Sequence, residues 1–341
     1  MLLDLPGHPL HTRALAVTVR QHDPAHVDVA AYVLDLRKRG FVPVGGDLQS
    51  SGIIHHMEIR ATIATADGRV VAIDATQPTV AFEASALSDG ECCRDPIDAI
   101  RGLAGATIGS DWTARVGDAL GGPRACFHLF TLAHFVGGTV AHALRREAAL
   151  APGSRPEGQR IFRRDVIVDG SQQVDRALGL AVQLLDLHFG AAEGTPLAMD
   201  RFAESLEIRG TLALERMTGV VHVPRFAERR RDATTVVTAP WHERPDVAER
   251  LAGISLLAGA TRAITAAFPP DADEAPLRDA LLMLAPALIQ VFAAITDDWS
   301  RMAKEEGWLV GMGGRPDSCW MWRRGGALER TRGPGDPTRS V

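Results

Sequence analysis

Cysteine is scarce in this chain. Cys92, Cys93, Cys126 and Cys319 are the four among 341 residues, and none forms a Cys-x-x-Cys pair. Adjacent Cys92 and Cys93 do not bridge easily to each other, so a disulfide framework is not expected and a reducing compartment fits best. Long apolar runs are lacking too. The longest, Ala280 to Ile295, contains Pro286 and runs into Asp297-Asp298, short of the ~20 apolar residues a membrane span needs. It predicts a buried helix. The opening Met1-Leu2-Leu3-Asp4-Leu5-Pro6-Gly7 has no basic region before an apolar run, so no signal peptide is expected and the chain reads as cytoplasmic.

A basic stripe is also missing. The formal charge is −5, and the densest cationic cluster, Glu228-Arg229-Arg230-Arg231-Asp232, is short and flanked by acids. It predicts a solvated loop, and neither nucleic acid nor membrane is an expected partner. The chain has no Gly-x-Gly-x-x-Gly after a strand, no Walker motif, no Gly-x-Ser-x-Gly elbow and no His-Glu-x-x-His. Nucleotide cofactors are therefore not indicated, and no organic cofactor is expected.

What the chain does contain is an echo of itself. Arg13 precedes Asp35 by 22 residues, Arg164 precedes Asp186 by the same 22, and the two copies stand 151 positions apart. Gly68 before Val70-Val71 answers Gly219 before Val220-Val221, and Gly102-Leu103 answers Gly253-Ile254. Ala141-His142-Ala143-Leu144 falls opposite Phe292-Ala293-Ala294-Ile295. Met57-Glu58-Ile59-Arg60 answers Leu206-Glu207-Ile208-Arg209 with a two-residue slip. An internal duplication is expected.

Each half has the same coarse order. β-branched segments predict strands at 13–20, 27–37, 55–65 and 69–77, then at 163–168, 177–188, 204–215 and 219–226, with a hairpin turn at Asp67-Gly68. Helices follow. Asp95-Pro96 opens one through about Leu103, and Arg244-Pro245 opens a larger counterpart. Apolar residues at helical spacing predict a long amphipathic helix over 126–146. Its counterpart runs from about Pro276 to Lys304, kinked at Pro286. Strands followed by helices imply an α+β fold with antiparallel sheets, the two halves packed as a pseudo-two-fold pair. The first repeat spans 8–150, a turn-rich linker follows, the diverged second repeat spans 159–330, and 331–341 is a polar tail expected to be disordered.

The chemically useful side chains lie mostly in the first half. His11, His55, His56, His128, His134 and His142 are all there, whereas the second half has Phe162 opposite His11, Glu204 opposite His55 and Asp279 opposite His128. Histidine titrates near neutrality, so one copy retaining imidazoles suggests one retained proton-transfer site; a hydrogen-bonded core histidine is the plainer alternative. The repeated Arg–Asp pairs can brace each sheet or serve chemistry. Cys126-Phe127-His128 can be a metal pair, a nucleophile–base pair or packing, and a thiol before the first helical turn would have a lowered pKa. Asp317, Trp320, Trp322 and Arg323 suit a flat or phenolic ligand by stacking and charge-assisted hydrogen bonds, or form a terminal strand.

His11-Thr12-Arg13, Leu34-Asp35, Ile54-His55-x-Met57 leading into Ile59-Arg60, Gly102-Leu103, Trp112 and Cys126-x-His128-Leu129 together resemble the uncharacterised bacterial family of domain of unknown function 2889. The resemblance covers residues 8–146 and carries over the positions His11, Arg13, Asp35, His55, Cys126 and His128. The chain departs from that pattern at His56, where the family implies an acid, and at Arg37, where it implies lysine. Members resembling this chain turn up in bacteria that degrade aromatic compounds.

The expected protein is therefore a small-molecule lyase on an apolar aromatic catabolite, of the retro-aldol or deformylation type. His55 or His11 would be the base, Arg13 would hold an anionic oxygen and Asp35 would orient Arg13; Trp320, Trp322, Arg323 and Asp317 would line the pocket. A metal-dependent hydrolase or isomerase using Cys126, His128 and His55, and a non-catalytic binding protein, are the alternatives. Homodimerisation is left open.

Overall fold

A computed structural model describes residues 7–39, 42–44, 47–49, 51–150, 153–173, 177–191, 202–216, 218–269, 273–295 and 317–331. Alternating apolar residues build its strands. They are β1 (His8–Asp23), β2 (His26–Arg37), β3 (Val42–Val44), β4 (Asp47–Gln49), β5 (Gly52–Ala64), β6 (Val70–Thr79), β7 (Arg160–Gln172), β8 (Leu178–Phe189), β9 (Phe202–Leu214), β10 (Val221–Asp232) and β11 (His242–Glu243). Nine form one sheet in the order β11-β10-β9-β8-β7-β1-β2-β5-β6, with β3 and β4 a separate hairpin. Every neighbouring pair in the large sheet is antiparallel. The α+β class with an antiparallel sheet follows, and the two halves share a single sheet joined at β1 and β7.

In β1, His11, Arg13, Leu15, Val17 and Val19 are buried, while Thr12, Ala14 and Thr18 on the other face are partly exposed. That alternation marks a sheet covered on one side. The cover is helical: α1 (Trp112–Leu120), α2 (Phe127–Leu150), α3 (Pro245–Leu251), α4 (Ala260–Ala267), α5 (Ala275–Leu282) and α6 (Leu284–Ala293). α2 lies on β1, β2, β5 and β7, and α5 and α6 lie on β7, β8 and β1. Phe127–Leu150 and Ala275–Ala293 are long and apolar enough to cross a bilayer, but their most apolar windows are 56% and 78% buried in the fold. Core helices show the same pattern.

Several local expectations need correction. Glu228–Asp232 belongs to β10, where Arg229 and Arg231 both bind Glu207 on the neighbouring strand, so cross-strand charge pairing holds this run in the sheet. The segment after Pro96 is a 3-10 helix, Ile97–Leu103, and its counterpart α3 is no longer than it. The helix over α5 and α6 breaks at Met283, three residues before Pro286, which has no N–H to donate to the Leu282 carbonyl and crowds it with its ring. The candidate terminal strand is a 3-10 turn, Trp320–Trp322. The tail and residues 296–304 lie outside the described residues.

The hairpin at Asp67-Gly68 is present, with Gly68 at φ +75, a left-handed conformation that a side chain would strain. Gly219 takes φ +63 at the matching turn. In the helical layer the Trp112 indole donates to the Ala133 carbonyl at 3.0 Å, and Gly137 leaves the room for it: a Cβ there would lie 2.2 Å from Trp112 Nε1.

Candidate functional site

Asp35 is the centre of a buried polar cluster. The β1–β2 register sets Arg13 directly across from it. The guanidinium donates through Nε and Nη2, each at 2.8 Å, to the two carboxylate oxygens. On the other side the β2–β5 register sets His55 across from Asp35, with Nδ1 3.2 Å from Oδ2. His11, two residues before Arg13 on the same strand face, brings Nε2 to 3.3 Å from Oδ1. α2 supplies His128 in its first turn, with Nε2 3.2 Å from Oδ2. Cys126, just before that turn, sets Sγ 3.8 Å from His128 Nδ1. The His55 and His128 rings lie against each other, centroids 3.7 Å apart. Of the six positions that the resemblance carries over, the other five thus gather about the Asp35 carboxylate, Cys126 through His128.

Burial alone would raise the Asp35 pKa, but the Arg13 charge and hydrogen bonds from Arg13, His128 and His55 hold it well below the usual carboxylate range. Burial also brings His11 and His128 down to about 3 and lowers His55. All three imidazoles are neutral at pH 7. Asp35 can only accept, so the hydrogen sits on His55 Nδ1 and on His128 Nε2. His55 Nε2 is then left with a free lone pair, the tautomer a general base requires. His128 Nδ1 is likewise an acceptor and faces the Cys126 thiol.

That thiol is not activated. Cys126 does precede the first helical turn, yet burial pushes it up to about 12, outweighing the amides of Leu129 and His128. The expectation of a lowered thiol pKa is overturned by desolvation.

Two members of the cluster were not expected. Arg37, two residues after Asp35 on the same strand face, is buried, and desolvation lowers its pKa to about 10. Gln290 of α6 brings Nε2 to 3.4 Å from His128 Nε2. A buried glutamine in an otherwise apolar helix is the sequence signal for it. Asp35, His55 and His128 each offer one ligand atom, and these lie within 4.8 Å of one another, a spacing a cation could bridge. The thiol is not part of that trio, and Arg13 already occupies both carboxylate oxygens.

The second half holds a different cluster around Asp186. Arg164 donates through Nε and Nη2 to Asp186, both at 2.7 Å, and through Nη1 to Asp279 of α5 at 2.6 Å. Burial raises the pKa of both carboxyls. His142, from the far end of α2, lies 3.7 Å from Asp186. In the first cluster the Arg13 Nη1 and the His11 Nδ1 are buried and have no hydrogen-bond partner among the described residues. Strand pairing also revises which residues match. Leu206 stands across from Asp186 as His55 stands across from Asp35, so His55 is answered by Leu206 and not Glu204.

The expected aromatic wall sits to one side. The Trp320 amide donates to the Ala125 carbonyl at 3.0 Å, one residue from Cys126. Arg323 stacks 3.5 Å over the Trp320 ring and binds Glu91, Trp322 meets Phe82 edge-on, and Asp317 accepts from the Arg324 amide. None of these four has a described hydrogen bond, ion pair or ring contact with the Asp35 cluster.

No curated protein and no solved structure matches the chain. A family model does: residues 11–142, which carry the whole polar cluster except Gln290, match the family described as "Protein of unknown function (DUF2889)".

Proposed function

We propose that the Asp35 cluster is the proton-transfer centre of a lyase that needs no organic cofactor and cleaves a carbon–carbon bond in an aromatic substrate of aldol type. The observation that carries this is the contrast between two arginines. Arg164 Nη1 is taken up by Asp279, whereas Arg13 Nη1, equally buried, has no described partner and stands beside neutral imidazoles. A buried guanidinium N–H without a partner is costly, and an anionic substrate oxygen would satisfy it.

In the proposed reaction the His55 Nε2 takes the proton of a β-hydroxyl. The O–H electrons form the carbonyl of the departing aldehyde, the Cα–Cβ bond breaks, and its electrons pass to an enolate oxygen held by Arg13. The imidazolium, steadied by Asp35, then returns the proton to carbon. The test is incubation with aromatic β-hydroxy carbonyl compounds without added cofactor, followed for aldehyde release. Turnover should fall by about 10²–10⁴-fold in His55→Ala, the usual span for a general base. A folded protein that releases no aldehyde from any of them would end the proposal.

A second reading rests on Asp35, His55 and His128 as cation ligands. One equivalent of tightly held zinc or iron in protein purified without chelator would favour it.

We also propose that the two halves arose by duplication and pack about a pseudo-two-fold axis. Strand pairing supports this. Arg13 pairs with Asp35 and Val33 with Met57; 151 positions on, Arg164 pairs with Asp186 and Leu184 with Ile208. Ile59 pairs with Ala75, and Gly210 with Phe226 at the same offset. No slip is needed at Met57. The offset changes only past the hairpins: the Gly105 and Gly253 amides make the matching bonds to Val70 and Val221, which puts Gly253 opposite Gly105 and not Gly102.

A further inference from the structure

A cavity of about 360 Å³ opens beside Asp186, at the opposite end of α2 from the Asp35 cluster. Its size is that of small-molecule sites. Phe162 lines it, with the His142 and His188 ring centroids each 5.7 Å from the Phe162 ring. Phe162, itself 1% exposed, and the two imidazoles form the aromatic side of the cavity.

The charges around the cavity are unevenly committed. Asp186 is bound by Arg164, Glu204 by Arg146, and Asp232 by the hydroxyls and amides of Thr234 and Thr235. At the rim Arg145 has no described ion pair, and Arg230 makes only a 3.5 Å contact with Glu228. Asp273 also lines the cavity. Burial first, and then the charges of Arg164, Arg145 and Arg146, brings His142 down to about 2.

His188 supplies the polar contact inside. It is 1% exposed, and its Nε2 lies 2.7 Å from Glu147, a carboxylate that Arg155 also holds. Glu147 accepts the hydrogen on Nε2, and Nδ1 is buried and without a partner among the described residues. A ligand hydroxyl would satisfy it.

We infer that this cavity is a binding site for a small aromatic carboxylate, distinct from the Asp35 cluster. Arg145 and Arg230 take the carboxylate, the Phe162 wall takes the ring, and His188 Nδ1 accepts from a ring hydroxyl.

Calorimetric titration of the full chain at pH 7.5 with benzoate, 4-hydroxybenzoate, cyclohexanecarboxylate and inorganic phosphate tests it. One site is expected, with 4-hydroxybenzoate binding tighter than benzoate and both tighter than the other two. The double variant Arg145→Gln/Arg230→Gln should weaken binding by at least about tenfold; both side chains are at the surface, so the fold survives, which an unchanged Tm verifies. His188→Gln should remove the advantage of 4-hydroxybenzoate over benzoate. Three results would each overturn the inference: no saturable binding up to about 10 mM carboxylate, phosphate binding as tightly as benzoate, or full affinity in the double variant.

Discussion

Asp35 and Asp186 occupy matching places in one sheet, each across from an arginine on the neighbouring strand, yet their surroundings differ in kind. Around Asp35 the neighbours are three neutral imidazoles and a thiol, and one guanidinium N–H has no described partner. Around Asp186 the imidazoles of His11 and His55 are replaced by Phe162 and Leu206, and Asp279 takes the remaining guanidinium nitrogen. The sheet brings a charge pair to two places; the side chains on the next strand and on the covering helix decide whether that pair is left available or closed.

The sharpest test of this contrast removes each arginine. Arg13→Ala and Arg164→Ala should each destabilise by about 3–5 kcal/mol in urea unfolding, because a buried carboxylate loses its partner. The larger loss is expected for Arg164→Ala, which strands two carboxyls. Equal losses would mean that Asp279 does not lean on Arg164.

Acid should separate the clusters next. His11 and His128 have folded pKa values near 3, below the ordinary histidine value. Below pH ~6.5 the unfolded chain binds protons that the folded chain does not. Their stabilising contribution is complete above pH ~6.5 and is lost as pH falls toward 3. Asp186 and Asp279, shifted up, act in the opposite sense: their contribution is present at low pH and is lost as pH rises through their folded values. His11→Phe, which installs the second half's residue, should flatten the slope between pH 6.5 and 3. An unchanged slope would place the sensitivity elsewhere.

Thr131→Asp should turn the first cluster toward the second. α2 starts at Phe127 and α5 at Ala275, which puts Thr131 at the helix position of Asp279. A carboxylate there should claim Arg13 Nη1 and cut aldehyde release by about 10²-fold, the scale of losing one oxyanion donor, with little change in Tm. Retained turnover would deny Arg13 its proposed part.

Smaller effects follow from packing and backbone. Gly137→Ala meets the buried Trp112 indole and should cost about 1–3 kcal/mol. Val223 sits at φ 44 in the irregular stretch of β10, a strained place for a β-branched side chain, and is exposed. Val223→Gly should therefore raise stability by about 1 kcal/mol, read as a higher urea midpoint.

Much of this arrangement is legible in the sequence. Arg13 and Asp35 can be paired because their separation recurs at Arg164 and Asp186, and the imidazoles can be grouped because they fall in the half whose counterpart carries Phe162 and Asp279 in place of His11 and His128. Three things were not legible. The slip assumed at Met57 came from matching letters, whereas backbone pairing keeps the offset through β9. The reach of Gln290 to His128 and of His142 to Asp186 depends on which helix crosses which strand, and local pattern does not encode that. The pKa of the Cys126 thiol is set by burial, and a position before a helix says nothing about desolvation.

The seam between β1 and β7 has a consequence for the chain as a polymer. Leu15 faces Val166 there, Arg13 faces Val168 and Val17 faces Arg164, so the ladder is unchanged when the two strands trade places at the 151-residue offset. A fragment ending at the linker would leave β1, sixteen residues long, as a bare margin of unsatisfied amides and carbonyls. Two such fragments can close that margin on each other about Leu15, so the severed first half should behave as a self-paired dimer and not as a monomer.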